Sequence, residues 1–175
     1  MKSRTRLLSA MALSLGTGLA VGTAAMAADL PQSGTIKIHS TGKGSTQAVE
    51  VGKKHFMGSY NYWFVTYNDA GSGPLHMGAA LCTGSFDGIN GSSDNGGWCA
   101  WGDAGGADKI FIVWTGKGTG DVDYQGTGTI TGGTGKYAGI QGKMVWQCKT
   151  VEPSQALSAC TQQFDYQLSA AASNR

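Results

Sequence analysis

The side chain best placed to do chemistry is His76, because of its sequence neighbours. Residues 75–85 alternate like a β-strand, which puts His76 on the same face as Gly78, Ala80 and Cys82. If this face lines a cavity, the small residues leave space and the imidazole supplies one polar group within it. That arrangement is typical of an apolar ligand pocket. The commoner alternative is a surface histidine or a hydrogen-bonded structural one.

Aromatic residues supply the rest of a candidate pocket. Six of them lie in strand-like segments and could line a cavity, namely Tyr60, Tyr62, Phe64, Trp101, Trp114 and Trp146. Core packing is the default role of aromatic side chains in a small β-protein, but the lumen of a barrel is also its core. The predicted ligand-binding residues are His76, Tyr60, Tyr62, Phe64, Trp101 and Trp146.

Catalytic and cofactor motifs are missing from the sequence. It has no G-x-S-x-G nucleophile elbow and no local pattern of serine, histidine and acid. The glycine-rich stretch 132–135 lacks the Gly-Lys-Ser/Thr that completes a phosphate-binding loop. We therefore assign no catalytic residue and predict no cofactor.

A metal site is also not predicted. His39, His55 and His76 do not have the spacing of a local metal motif. Acidic residues occur in glycine-rich stretches, but they lack the D-x-D-x-D-G spacing of a calcium loop and are better explained by turn chemistry. These acids are Asp94, Asp103 and Asp108.

Four cysteines, Cys82, Cys99, Cys148 and Cys160, point to an oxidising compartment. An even number in an exported chain predicts two disulfides, for which three pairings are possible. Loop closure favours Cys82–Cys99 with Cys148–Cys160, since both loops are short.

The first 27 residues resemble a secretory signal peptide. A basic start and an apolar stretch at 7–21 precede the A-x-A sequence at 25–27, which predicts cleavage before Ala28; an uncleaved anchor is the alternative. Residues 28–175 then form one domain, with ten Lys and Arg against eleven Asp and Glu. This charge argues against nucleic-acid binding, and no further apolar run is long enough to insert into a membrane. We expect a periplasmic or secreted protein.

The elements that would position these residues are β-strands. Mature residues hold 26 of the 29 glycines together with many β-branched and aromatic residues, which is an all-β composition. The alternation predicts about eight strands, with a long loop at 87–97. The predicted strands are 35–40, 46–51, 55–67, 75–85, 98–101, 109–116, 121–130, 143–150 and 159–169, where 55–67 is one long strand or two separated near 58–59. We expect an antiparallel β-barrel, with a two-sheet sandwich as the alternative. The segment 110–114, apolar on both faces, indicates a covered strand or a hydrophobic outer surface.

The stretch 131–142, which reads TGGTGKYAGIQG, resembles a phrase of the allene oxide cyclase and dirigent barrels. There a strand runs into a "TGG[TS]GxFxGxxG" sequence and then into another strand, and Tyr137 stands at the aromatic position. Tyr137 and Ile140 would share one face of a helical turn and could plug one end of the sheet. The resemblance, which is closest to an exported bacterial branch, implies an eight-stranded antiparallel barrel with an apolar lumen, often oligomeric. It assigns no catalytic residue here.

Three functions are compatible with these observations. The first is a binding module for a small apolar or aromatic molecule held in the barrel. The second is a cyclase or isomerase that steers a reactive intermediate by confinement, for which a lumenal acid among Glu50, Asp121 and Asp123 would be the sign. The third is a structural or interaction protein of the envelope, for which the apolar segment 110–114 would be the sign. A homo-oligomer is possible in each case.

Overall fold

The chain folds into a closed barrel of eight antiparallel strands. The computed structural model describes residues 30–120 and 122–169. Each strand pairs with its sequence neighbours, and the last pairs with the first, so the barrel has no free edge. The strands are β1 (Ser33–Gly52), β2 (His55–Asn68), β3 (Gly78–Ile89), β4 (Ser92–Gly102), β5 (Lys109–Thr119), β6 (Asp123–Gly133), β7 (Ile140–Glu152) and β8 (Leu157–Leu168). The predicted barrel is confirmed, and the sandwich is excluded.

Alternation along each strand separates the lumen from the outer surface. In β1, Ile36 and Ile38 are buried while Lys37 and His39 are exposed, as predicted. In β5, the apolar segment buries Ile110, Ile112 and Trp114, while Phe111 and Val113 point outwards. Of the two alternatives given for this segment, a covered strand or a hydrophobic outer surface, the second is therefore present.

The predicted loop at 87–97 is wrong. These residues belong to β3 and β4, which pair from Ala79↔Gly102 to Ile89↔Ser92 and are joined by Asn90 and Gly91. Both turn residues have positive φ, 53° and 82°, as a two-residue type I′ hairpin turn requires. The Asn-Gly pair was the sequence signal for this hairpin, but the surrounding serines and glycines looked like loop composition.

Other strand limits differ from the prediction for similar reasons. The segments predicted at 35–40 and 46–51 form one strand, β1, because it pairs with β8 over residues 33–43 and with β2 over residues 38–52. Residues 75–77 are not strand, because Leu75 and Met77 have φ of 60° and 53°. β4 also begins six residues before the predicted 98.

One end of the barrel is closed by a plug. Leu75, Tyr137 and Ile140 are fully buried there, and a 3₁₀ turn at Gly135–Tyr137 places the tyrosine, as the spacing predicted. The Asp103 carboxylate Oδ1 accepts hydrogen bonds from the Tyr137 hydroxyl (2.9 Å) and the Leu75 backbone N–H (2.6 Å). Asp103 also forms an ion pair with Lys136. One carboxylate therefore joins the β2–β3, β4–β5 and β6–β7 loops.

The two disulfides have the favoured pairing, Cys82–Cys99 and Cys148–Cys160. Each joins residues that face one another directly on adjacent strands. Among the described residues, no helix is long and apolar enough to cross a membrane. The predicted signal peptide, residues 1–27, lies outside the described part of the chain, so its cleavage stays a prediction.

Candidate ligand-binding cavity

The half of the barrel next to the short β1–β2 and β3–β4 turns contains a cavity of about 720 Å³. It lies between the plugged end and the end that carries the short turns. Lys54, Asn90 and Gly91, which belong to those turns, form part of its rim. Ligand pockets for small organic molecules have volumes of roughly 300–1,000 Å³, so this lumen is of ligand size.

Aromatic rings in mutual contact form most of the wall. Tyr60 stacks on Trp114 with ring centroids 6.1 Å apart, and Trp114 meets Trp146 edge to face at 5.3 Å. On the other side, Tyr62 stacks on Phe64 at 5.6 Å, and Phe64 stacks on Trp101 at 6.3 Å. Such a wall offers flat apolar faces to a planar ligand.

Glycines on neighbouring strands make room for these rings. Phe64 and Tyr62 face Gly42 and Gly44 across the β1–β2 ladder. A Cβ at either glycine would overlap the ring that lies over it. The same pairing joins Trp146 to Gly126 and Tyr60 to Gly84 across other ladders. The high glycine content is therefore partly a packing requirement of the aromatic lumen, and not only turn chemistry.

Five of the six predicted ligand-binding residues line the cavity. They are Tyr60, Tyr62, Phe64, Trp101 and Trp146, and Trp114 joins them. The predicted face of small residues also points inwards, since Ala80 and Cys82 are buried.

The lumenal position expected for His76 is wrong. This residue lies in the loop between β2 and β3, because the positive φ angles of its neighbours Leu75 and Met77 turn the chain before the strand begins. It does not line the cavity, and its ring contacts Tyr67 edge to face at 6.2 Å. Its Nδ1 is buried without a protein partner. The sequence alternation failed here because Leu75 enters the plug instead of a strand.

Three buried donors of the wall have no protein acceptor. The indole Nε1 groups of Trp101, Trp114 and Trp146 are buried and unpaired. Other lumenal polar groups satisfy one another: the Gln162 amide donates to Ser40 Oγ (3.0 Å), and the Asn95 amide donates to Ser93 Oγ (2.9 Å). The three indole N–H groups have almost no accessible surface, so a ligand in the lumen would instead meet polar lining residues such as Tyr60, Tyr62 and Ser92.

No carboxylate lines the cavity within residues 30–120 and 122–169. Glu50 is exposed, Asp123 is exposed and pairs with Lys149 at 3.4 Å, and Asp121 lies outside the described residues. Burial, with the nearby Tyr124 and Tyr62, raises the pKa of Tyr60, so this phenol stays neutral at ordinary pH. Of the acids considered for a cyclase, neither described one reaches the lumen.

The other histidines lie near acidic residues on the surface. His39 Nδ1 lies 2.9 Å from Asp69, and His55 Nε2 lies 2.6 Å from Asp87. In the part of the chain that the structure describes, no three His, Cys, Asp or Glu side chains come close enough to hold a metal ion.

Several cavity residues were not identified from sequence. Phe86, Tyr124, Met144 and Gln162 line the lumen, and so do three of the disulfide cysteines, Cys82, Cys99 and Cys148. Phe86 continues the period-2 face of Ala80 and Cys82, and that signal was available. Gln162 continues the period-2 face of Cys160 and Phe164 in β8, so the same signal was available for it.

The outer face of β2–β5 is unusually apolar. Trp63 faces Leu81, and Phe111 faces Ala100 in the same row of residues. The adjacent row contains Trp98 opposite Val113. Trp63, Trp98 and Val113 are 63%, 49% and 55% exposed, so these two neighbouring rows present large apolar side chains to solvent.

No family model matches this chain, and no curated protein matches it significantly.

Proposed function

We propose that this protein is an exported binding module that holds a small apolar or aromatic molecule in its lumen. The observation that carries the proposal is the cavity of about 720 Å³, walled by aromatic rings, with one plugged end and one end near the surface. The wall combines apolar faces with a few polar side chains, among them Tyr60, Tyr62 and Gln162, as binding pockets do. The described lumen offers no carboxylate for acid–base catalysis, which favours binding over the cyclase.

Two further proposals concern origin and location. The closed eight-stranded barrel and the buried Tyr137 of the glycine-rich phrase support membership of the allene oxide cyclase and dirigent superfamily. Both disulfides and the predicted signal peptide support export to the periplasm or beyond the cell.

The test is native mass spectrometry of the protein purified from the exported fraction of its own host. We expect a reproducible extra mass that is released when the protein is denatured. Gly88→Trp should abolish the extra mass. Gly88 lines the cavity, and a Cβ there would have its nearest neighbours at 3.6–3.7 Å, so the backbone accommodates the new side chain. The indole of the tryptophan would then fill the lumen.

The matched control is Gly96→Trp on the outer face. A Cβ at Gly96 would have neighbours at 3.5 and 3.8 Å, so the same substitution is tolerated while the lumen is unchanged. This variant should keep the extra mass. Loss of the mass from both variants, or its absence from the wild-type protein and from protein exposed to aromatic compounds, would refute the binding module.

The apolar outer face favours a second role, an interaction surface for another copy of the chain. Obligate interfaces are rich in exposed aromatic residues of this kind. The same native spectra report the oligomeric state. We expect an oligomer that Trp63→Lys dissociates, because the lysine replaces the most exposed aromatic side chain of the row with a charge. A wild-type monomer at all concentrations would refute this role.

A further inference from the structure

We propose that residues 45–51 of β1 pair antiparallel with the same residues of a second copy of the chain, and that this contact completes the wall of the cavity. The second copy would contribute its own Thr46 and Ala48 to the lumen. The contact is separate from the apolar outer face of β2–β5, and it does not depend on which molecule the lumen holds.

One edge of β1 lacks a neighbouring strand near the end of the barrel that carries the short turns. The closed part of the barrel has no free edge, but β1 extends beyond it. Its last pair with β8 is Lys43↔Leu157, and the Gly44 N–H then donates to the Ala156 carbonyl at 3.1 Å. On its other side, β1 stays paired with β2 as far as Gly52. In the part of the chain that the structure describes, residues 45–51 therefore pair with one strand only.

The tilt of the strands explains why this edge exists. Strands of a barrel are inclined to its axis, so the register must shift by a fixed number of residues on going once round it. The β1–β2 and β3–β4 hairpins are paired up to their two-residue turns, so they take up little of this shift. The shift is left to the seam between β8 and β1, where β1 has 20 residues and β8 has 12.

The free edge lacks the features that usually prevent strands from pairing. Natural proteins commonly protect an edge with lysine, with proline or by making it very short. Residues 45–51 read STQAVEV, with no lysine and no proline. Val49 and Val51 are 64% and 52% exposed beside this edge. A strand added here would pair the free backbone groups and pack against these valines.

A second copy of the chain fits this edge. A strand edge pairs only with another free edge, and every copy of the chain brings an identical one. Antiparallel pairing of two identical segments has a two-fold axis, as isologous dimers do. With the axis at Ala48, Glu50 lies opposite Thr46 of the other copy, so the only charged side chains of the two segments do not face one another.

The wall of the cavity is incomplete where the free edge lies. Thr46 and Ala48 line the lumen, yet both are exposed to solvent. Residues that face one another in an antiparallel pair point to the same side of the sheet. The second copy would therefore place its Thr46 and Ala48 on the lumenal side and extend the wall across the seam.

Opposite charges at Ala48 test this pairing. Ala48→Lys and Ala48→Glu each place two like charges opposite one another at the axis, which should raise the dissociation constant of either variant by itself roughly three- to fivefold. In an equimolar mixture, lysine lies opposite glutamate and the contact forms. With one variant ¹⁵N-labelled, native mass spectrometry should show mixed dimers in clear excess over the half that random pairing gives.

The matched controls are Thr41→Lys and Thr41→Glu. Thr41 is exposed on the same strand, but it pairs with both β2 and β8. A mixture of these two variants should give random pairing. Circular dichroism checks that each variant is folded.

Three results would overturn the inference. They are a wild-type monomer at all concentrations, random pairing in the Ala48 mixture, and no association in that mixture when the wild-type protein associates. Random pairing that Trp63→Lys abolishes would place the contact between copies on the apolar outer face instead.

Discussion

Removing one hydroxyl group should loosen the closed end of the barrel. Tyr137 is fully buried, and its hydroxyl donates to the Asp103 carboxylate at 2.9 Å. Tyr137→Phe deletes this hydrogen bond and keeps the ring that fills the plug. Burial and the charge of Asp103 raise the pKa of Tyr137, so the phenol is a neutral donor at ordinary pH.

The expected loss can be sized from the surroundings of this bond. A hydrogen bond to a charged group contributes about 1.5–3 kcal/mol, and phenylalanine leaves no unpaired polar atom of its own. Asp103 keeps its bond from Leu75 N–H and its ion pair with Lys136, so it is not left without partners. We therefore expect the free energy of unfolding to fall by about 2 kcal/mol, with a Tm roughly 4–8 °C lower.

The measurement is urea denaturation and thermal unfolding followed by circular dichroism. Tyr166→Phe is the matched control, because Tyr166 is also buried, at 7% exposure, and its hydroxyl makes no hydrogen bond to a described protein group. It should change the free energy of unfolding by less than about 0.5 kcal/mol. Equal losses in the two variants, or no loss in Tyr137→Phe, would refute the role given to the Asp103 carboxylate.

Three further outcomes follow from the structure. Gly116→Ala should lower the free energy of unfolding by about 1–3 kcal/mol and alter the tryptophan emission, because the new Cβ would overlap the Trp146 ring and lie 2.6 Å from a backbone carbonyl. Gly96→Ala, on the outer face, is the control and should leave the free energy of unfolding unchanged in the same denaturation assay. Reducing both disulfides should lower the free energy of unfolding by about 3 kcal/mol for each, since they close loops with separations of 17 and 12 residues; an unchanged urea midpoint under reducing conditions would contradict this. Stability should fall as pH rises above about 10, because the unfolded chain ionises its tyrosines there while burial raises the pKa of Tyr60 and keeps it protonated in the folded state. Absorbance at 295 nm should show delayed ionisation, and a single transition near pH 10 in protein that is still folded would contradict it.

The sequence predicted the wall of the site better than its polar groups. Period-2 alternation placed Tyr60, Tyr62 and Phe64 on one face of β2, and that face points into the lumen. The same reasoning failed for His76, because alternation assumes that the strand has already begun. A positive φ at Leu75 and Met77, with Leu75 held by the plug, overrides the pattern.

The glycines show the limit of sequence reasoning most clearly. Composition indicated turns, and Asn90-Gly91 is a turn, but Gly42 and Gly126 lie within strands and accommodate aromatic rings from the neighbouring strand. Nothing local to either glycine reveals the ring opposite, because that pairing depends on the register between separate strands.

The sequence by itself indicated the all-β fold and the plug formed by Tyr137 and Ile140, and it favoured a barrel over a sandwich and one disulfide pairing over two others. These follow from local alternation, turn chemistry and short-range spacing, which act within a few residues of the chain. Only the tertiary structure decided that Trp101, Trp114 and Trp146 line one cavity, and that Asp103 joins three loops. Those contacts join residues far apart in sequence, and barrel closure, which brings every strand to face the others across one lumen, is the physical reason that they meet.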